Sequence, residues 1–90
     1  MLYIGPYDFS IAMGHPGEYD HPDVIKPMRR ILEICKECRV PFGTTASGVD
    51  SARYWIQHGA QFFETSDELG FISAGARTLV SDYRKLLPRR

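Results

Sequence analysis

Three sets of residues in this 90-residue chain have the type and spacing to do chemistry. The first is Asp8, which follows Leu2-Tyr3-Ile4 and the break Gly5-Pro6. Gly permits strained backbone and Pro lacks a ladder donor, so a short strand ends there and Asp8 stands in a loop just past its carboxyl end. In parallel α/β folds ligands bind at that edge, where loops sit on a rigid scaffold and helix amino-termini point. A carboxylate there is a candidate metal ligand; the alternative is a solvated or helix-capping group. The second set is Cys35-Lys36-Glu37-Cys38. Thiolates spaced this way converge on one partner, as a redox pair or as half of a zinc site. This pair falls at the end of a helix rather than at its amino-terminus, and the chain holds no further cysteine; packing cysteines are the simpler reading. The third set is His15, His21 and His58, which do not form a metal-ligand spacing. His21 reads as part of a helix cap, His58 as a last-turn imidazole beside Gly59 that suits the dipole, and His15 as a rim residue near Asp8.

The elements that must position these groups follow from periodicity. His15 to Asp20, with Gly14, Pro16 and Gly17, is a surface loop. A helix begins near Asp20 or His21, with Pro22 in its first turn and Asp23 placed for the dipole. Val24, Ile25, Met28, Ile31, Leu32, Cys35 and Cys38 recur at helical spacing, opposite Lys26, Arg29, Arg30, Glu33, Lys36 and Glu37. Pro27 predicts a kink, or a helix that starts there. Val40 to Thr45 reads as a second strand, and Ala46-Ser47-Gly48 as its exit. A short helix capped by Asp50 or Ser51 presents Ala52, Trp55 and Ile56 on one face and stops at Gly59. Gln61 to Thr65 is a third strand, and Ser66-Asp67-Glu68 starts the last helix. That helix carries Leu69, Phe71, Ile72, Leu79, Val80, Tyr83 and Leu86; Gly70 and Gly75 predict that it is broken in two. Alternating strands and helices with long connections argue a parallel sheet.

Composition sets the outer limits. Ninety residues suit one domain with a modest core. A hydrophobic fraction of 43% with 24% charged residues describes a chain built to pack. Lys plus Arg equal Asp plus Glu at 11 each, so no net field gathers nucleic acid or an anionic membrane. Arg84-Lys85 and Arg89-Arg90 read as a solvated helix tail. No signal-peptide pattern and no membrane-length apolar run is visible, and two cysteines do not make a secreted disulfide framework; the expectation is a cytoplasmic protein.

Gly5-Pro6-Tyr7-Asp8-Phe9-Ser10, Met13-Gly14 and His21-Pro22-Asp23-Val24 stand in order in this sequence. Val40-Pro41-Phe42-Gly43, Gly59-Ala60-Gln61-Phe62, Leu69-Gly70-Phe71 and Ala74-Gly75-Ala76-Arg77 follow them. Together, over nearly the whole chain, they resemble the HpcH/HpaI family of metal-dependent pyruvate aldolases, whose signature segment is Gly-Pro-x-Asp-Leu-Ser. That family is a (β/α)8 barrel. The resemblance implies an α/β chain of three βα units, the carboxyl-terminal part of a TIM barrel, with residues 1–90 as a single partial barrel domain. It implies that Asp8 is one of two carboxylates holding a divalent ion, magnesium or manganese with cobalt as a further choice. It also implies that Gly5, Pro6, Tyr7 and Asp8 bind the 2-oxo acid, the amides around Tyr7 and Asp8 holding the pyruvate carboxylate. The implied reaction is reversible cleavage of a 4-hydroxy-2-oxo acid to pyruvate and an aldehyde. The acyl-CoA lyase branch of the superfamily resembles Gly-x-Glu-Asp at this loop, so Pro6-Tyr7 favours the aldolase branch.

The family's second metal-binding Glu, its enolate-stabilising Arg and its His near the catalytic water lie upstream of the segment resembled here. No catalytic residue is therefore assignable in this chain, and the isolated chain is expected to be inactive. Phe9 replaces the usual Leu and Ile11 a commonly small residue. Glu68, where the family often has Asp, is expected to be a helix-start charge, and Glu64 a rim residue. The family packs its final helix onto a neighbouring subunit; the alternative is that this apolar face covers its own sheet. Either way, open strand edges predict a homo-oligomer, or a partner that is the remainder of the barrel. A second class of function remains, a non-catalytic α/β interaction module using Cys35 and Cys38 for metal or redox control.

Overall fold

Each strand is bounded by the residues that stop it. β1 (Leu2–Ile4) ends at Gly5-Pro6, β2 (Phe42–Thr45) follows Pro41, and β3 (Phe62–Glu64) follows the turn at Gly59. Between and after them run α1 (Pro6–Ala12), α2 (Pro22–Glu37), α3 (Val49–His58) and α4 (Glu68–Arg84). The computed structural model describes residues 1–88, so Arg89 and Arg90 of the expected basic tail lie outside the described residues. Among the described residues no helix is long and apolar enough to cross a membrane.

The strands pair in parallel in the order β1-β2-β3. Tyr3 lies opposite Gly43 and Ile4 opposite Thr44; Gly43 in turn faces Phe62, and Thr45 faces Glu64. Side chains alternate along a strand, so this register sorts them onto two faces. Ile4, Phe42 and Thr44 are buried under the helices, whereas Tyr3, Phe62 and Glu64 belong to the other, exposed face. Gly43 lets β3 approach closely, because a Cβ there would stand 3.0 Å from the Cβ of Phe62 and 3.1 Å from its carbonyl oxygen.

The core is a single stripe of α2 laid on the sheet. Val24, Met28, Leu32 and Cys35, spaced by four, four and three, are each no more than 4% exposed. They cluster with Ile4, Phe42, Ala60 and Trp55 of α3, whose ring lies 6.0 Å from that of Phe42. Burying a side chain of this size stabilises by about 1.5–3 kcal/mol, so this cluster is what holds helices to strands. Ile25 and Ile31 pack at its margin, while Cys38 is exposed at the end of α2.

Several expectations are corrected. Residues 6–12 form a helix rather than a loop; seven residues are too few to show a helical period, and the fixed φ of Pro6 starts the turn. α2 starts at Pro22 and not at Pro27, and it runs to Glu37, because the bond that Pro27 cannot make falls on the carbonyl of Asp23, in the exposed first turn. Gly48, not Asp50 or Ser51, caps α3, and Asp50 pairs with Arg53 at 2.9 Å instead. Ile56 faces solvent while Trp55 takes the core position. Gly59 does stop α3, in a left-handed conformation at φ 112° that favours glycine.

α4 is one continuous helix of 17 residues, with the Asp67 carboxylate accepting from the Gly70 amide at 2.7 Å. Two glycines cost about 1 kcal/mol each against alanine, too little to break a helix of that length. None of its residues is buried. The radius of gyration is 17.4 Å against about 12 Å for a compact chain of this size, and the long axis reaches 59 Å. The apolar face of α4 therefore does not cover its own sheet.

Gly43→Ala should destabilise the fold by about 1–3 kcal/mol, because the added methyl meets backbone that cannot swing aside. Urea unfolding followed by circular dichroism measures this; an unchanged midpoint would mean that the strands part without cost.

Candidate active site

Where β1 ends, the chain turns at once into a helix. Gly5 is the extended amino-terminal cap of α1, Pro6 occupies its first position, and Tyr7 and Asp8 complete the first turn. The first helical bond runs from the Phe9 amide to the Gly5 carbonyl at 2.9 Å, so the amides of Tyr7 and Asp8 precede the intrahelical ladder. The negative charge of Asp8 suits this positive end of the helix. Asp8 thus sits at the carboxyl edge of the sheet, as expected, but on a helical turn.

That edge opens into a cleft of about 500 Å3. Gly5, Pro6, Tyr7 and Asp8 all line it, so the four residues picked out from sequence share one wall. The opposite wall comes from Thr45 of β2, from Ser47 after it and from Glu64 of β3, the floor from Ile25, Met28 and Trp55, and the rim from Tyr19 and Asp20. Gly5 leaves room beside the carboxylate: a Cβ on it would stand 3.6 Å from Asp8 Oδ2.

Tyr3 organises the far side. Its hydroxyl donates to Glu64 Oε2 at 3.0 Å and meets the hydroxyl of Thr45. With its one proton given to Glu64, the Tyr3 oxygen accepts from Thr45. Burial pushes the Tyr3 phenol up and the neighbouring Glu64 carboxylate adds to this, while the Thr45 hydrogen bond acts in the opposite direction. The phenol is therefore a proton donor at neutral pH. Glu64, expected as a rim residue, is exposed and lines the cleft, and Glu68 is a first-turn charge of α4 as expected. The sequence alone singles out no role for Tyr3. Its alternation with buried Ile4 was the available signal, since it places Tyr3 on the face opposite the core.

His15 does not line the cleft. Its Nδ1 lies 3.0 Å from Glu18 Oε2 and its Nε2 lies 3.0 Å from Asp23 Oδ2. Carboxylates only accept, so both contacts together require a proton on each ring nitrogen, the imidazolium form. The hydrogen bond to Glu18, then that to Asp23, holds the His15 pKa above its usual 6.5. His21 caps α2 as expected, its Nδ1 accepting from the Asp23 amide at 3.1 Å, and its ring stacks on His15 at 3.7 Å. His15 and His21, which show no metal-ligand spacing in the sequence, are therefore neighbours in space. His58 Nδ1 donates to the Tyr54 carbonyl at 2.7 Å in the last turn of α3. Cys35 is in the core and Cys38 at the surface, which divides the thiol pair between two environments.

A pKa raised on folding means that the His15 tie stabilises fully below about pH 6.5 and fades as the pH climbs through the raised value. Urea unfolding of wild type and His15→Gln over a pH series should show the wild-type advantage shrinking toward zero on the alkaline side. An advantage that stays constant with pH would contradict a charged ring.

Residues 1–74 match the model of the HpcH/HpaI aldolase/citrate lyase family. A 5-keto-4-deoxy-D-glucarate aldolase of Salmonella arizonae is 33% identical over 84 residues, 93% of this chain and 33% of that protein. The enzyme of the same name from Enterobacter sp. (strain 638) is 30% identical over the same shares. The crystal structure of an HpcH/HpaI aldolase/citrate lyase family protein from Burkholderia cenocepacia J2315 superposes with a TM-score of 0.85 at 29% identity, over 92% of this chain and 32% of that one. An HpcH/HpaI aldolase from Desulfitobacterium hafniense DCB-2 shares the fold at TM-score 0.75 and 22% identity, over 96% of this chain and 33% of that one. The chain spans about a third of the length of the relatives it matches. Its three parallel βα units are the corresponding third of a TIM barrel. With sequence, fold and strand-end cleft in agreement, this chain belongs to the HpcH/HpaI aldolase/citrate lyase family.

Proposed function

We propose that residues 1–90 form one partial barrel domain, the last three βα units of a metal-dependent aldolase that cleaves a 4-hydroxy-2-oxo acid to pyruvate and an aldehyde. The observation that carries this reading is Asp8, held in the first turn of α1 at the sheet's carboxyl edge and facing a cleft to which all three strands contribute. The name of the curated relatives supports the substrate class. Counted from its other end, a 5-keto-4-deoxy-D-glucarate has its ketone at C2, a methylene at C3 and a hydroxyl at C4, which is a 4-hydroxy-2-oxo acid.

Asp8 supplies a hard carboxylate oxygen to the wall of the cleft, the donor type that hard divalent ions take. A divalent ion there, magnesium or manganese with cobalt as a further choice, would supply Lewis-acid polarisation of the 2-oxo acid. The chain's own residues then have distinct tasks. The amides of Tyr7 and Asp8, at the positive end of α1, hold the substrate carboxylate. Tyr3, fixed by Glu64 and Thr45, lines the opposite wall with a hydroxyl. Ile25, Met28 and Trp55 exclude water from the floor. A second carboxylate for the ion comes from strands outside this chain, which alone is inactive.

Residues 1–88 joined to the preceding two-thirds of a 5-keto-4-deoxy-D-glucarate aldolase should give a barrel that cleaves that enzyme's substrate. Asp8→Ala should lower its turnover by at least about 100-fold, the equivalent of about 3 kcal/mol of charge stabilisation. Steady turnover by the 90-residue chain alone, abolished by Asp8→Ala, would overturn the proposed division of the site.

The exposed apolar face of α4, with Leu69, Phe71, Ile72, Leu79 and Val80, further supports a homo-oligomer. Light scattering should show association of the wild-type chain, and Leu79→Glu with Val80→Glu should shift it toward monomer. A wild-type monomer across the accessible concentration range would exclude this role for α4.

A further inference from the structure

The turn between α1 and α2 gathers ligand-type side chains that the proposed aldol chemistry does not use. His15, His21 and Asp23 each place one ligand atom within 4.8 Å of the others. Glu18 reaches the same His15 ring at 3.0 Å. Two separate constraints bring them together. The His15 amide donates to the Ser10 carbonyl at 2.8 Å and the Glu18 amide to the His15 carbonyl at 3.0 Å, which closes the turn. The α2 cap then fixes His21 and Asp23 two residues apart.

The separations suit an ion. His15 Nε2 and Asp23 Oδ2 are 3.0 Å apart, the spacing of adjacent ligands whose bonds of about 2.0–2.1 Å meet near a right angle. Two imidazole nitrogens and a carboxylate oxygen are the donor set of borderline divalent ions such as zinc and cobalt. The stacked rings present their nitrogens side by side, so one ring must rotate to converge on the ion. Side-chain exposures of 25% for His15 and 34% for His21 leave room for this. The positive end of α2 opposes a cation with about half a unit charge, and the two full charges of Glu18 and Asp23 outweigh it.

We propose that His15, His21 and Asp23 form a binding site for a zinc-type divalent cation, distinct from Asp8, with Glu18 orienting the His15 ring through Nδ1. The site is structural. It pins the turn that carries Tyr19 and Asp20 to the rim of the cleft, and it stands whether or not the aldolase reading does.

Cobalt(II) alone should be titrated into the purified 90-residue chain at mildly alkaline pH, where imidazole ligands are neutral. Visible absorption and calorimetry should show one saturable ion with nitrogen ligands in the wild type and in Asp8→Asn. His15→Gln and His21→Asn should each weaken it at least about tenfold, the loss that even an outer-shell partner causes. Asn keeps a cap acceptor at position 21, so circular dichroism should show α2 intact in that variant. In the wild type, the ring resonances of His15 and His21, but not of His58, should broaden with cobalt, a readout that needs no variant to fold. Absence of saturable binding would overturn the proposal. Binding that survives both histidine changes and is lost in Asp8→Asn would also overturn it, assigning the ion to the cleft.

Discussion

Phe42 is where strands, α2 and α3 meet, and the rest of the structure depends on its burial. Its side chain is 2% exposed and belongs to the cluster with Val24, Met28, Leu32 and Trp55. Its backbone pairs with Leu2 on one side, and its carbonyl accepts from the Gln61 amide at 2.9 Å on the other. Because the strand period is two, burying Phe42 and Thr44 commits Gly43 and Thr45 to the opposite face. Register carries the same commitment to Tyr3 in β1 and to Phe62 and Glu64 in β3. The polar side chains of the cleft are thus a consequence of the apolar packing on the reverse of the sheet. A one-residue slip would exchange the two sets.

Among the described residues, nothing covers the face that carries them. Parallel sheets are ordinarily buried on both sides, and a three-stranded one leaves two open edges as well. Tyr3 and Phe62 meet edge to face at 6.3 Å on this surface, as packed side chains of a barrel interior do, yet Phe62 remains 47% exposed. α4 carries its apolar residues away from the body instead of folding back over them. A closed barrel resolves both features, since closure removes the edges and turns this face inward. The pattern of burial in 88 described residues is that of a wall rather than of a whole container.

How much of this could be read beforehand depended on whether the deciding interaction was local. The α2 stripe was legible because Val24, Met28, Leu32 and Cys35 repeat over about three turns, and the place of Asp8 because Gly5-Pro6 ends a strand whatever lies elsewhere. α1 was not, since seven residues hardly fill two turns. The unbroken course of α4 through Gly70 and Gly75 was missed because helix cooperativity over 17 residues outweighs two local penalties. The contact between Tyr3 and Glu64 spans 61 positions and exists only once register is set. The stacking of His15 on His21 needs the turn to fold back on α2, which no linear spacing encodes.

The distribution of carboxylates explains why a correct wall need not be a working site. Asp8, Asp20 and Glu64 all line the cleft, so the count of acidic groups alone would satisfy a hard divalent ion. They do not converge, however. Glu64 is drawn toward Tyr3 across the sheet, and among the described residues the only three metal-ligating side chains whose ligand atoms come together are His15, His21 and Asp23, away from the cleft. Three parallel strands present side chains from one side of a site, whereas an ion needs donors arriving from several directions. The strands that complete the barrel supply those directions, and one third of it does not hold them. On the aldolase reading, Asp8 is therefore correctly placed and insufficient for the same geometric reason.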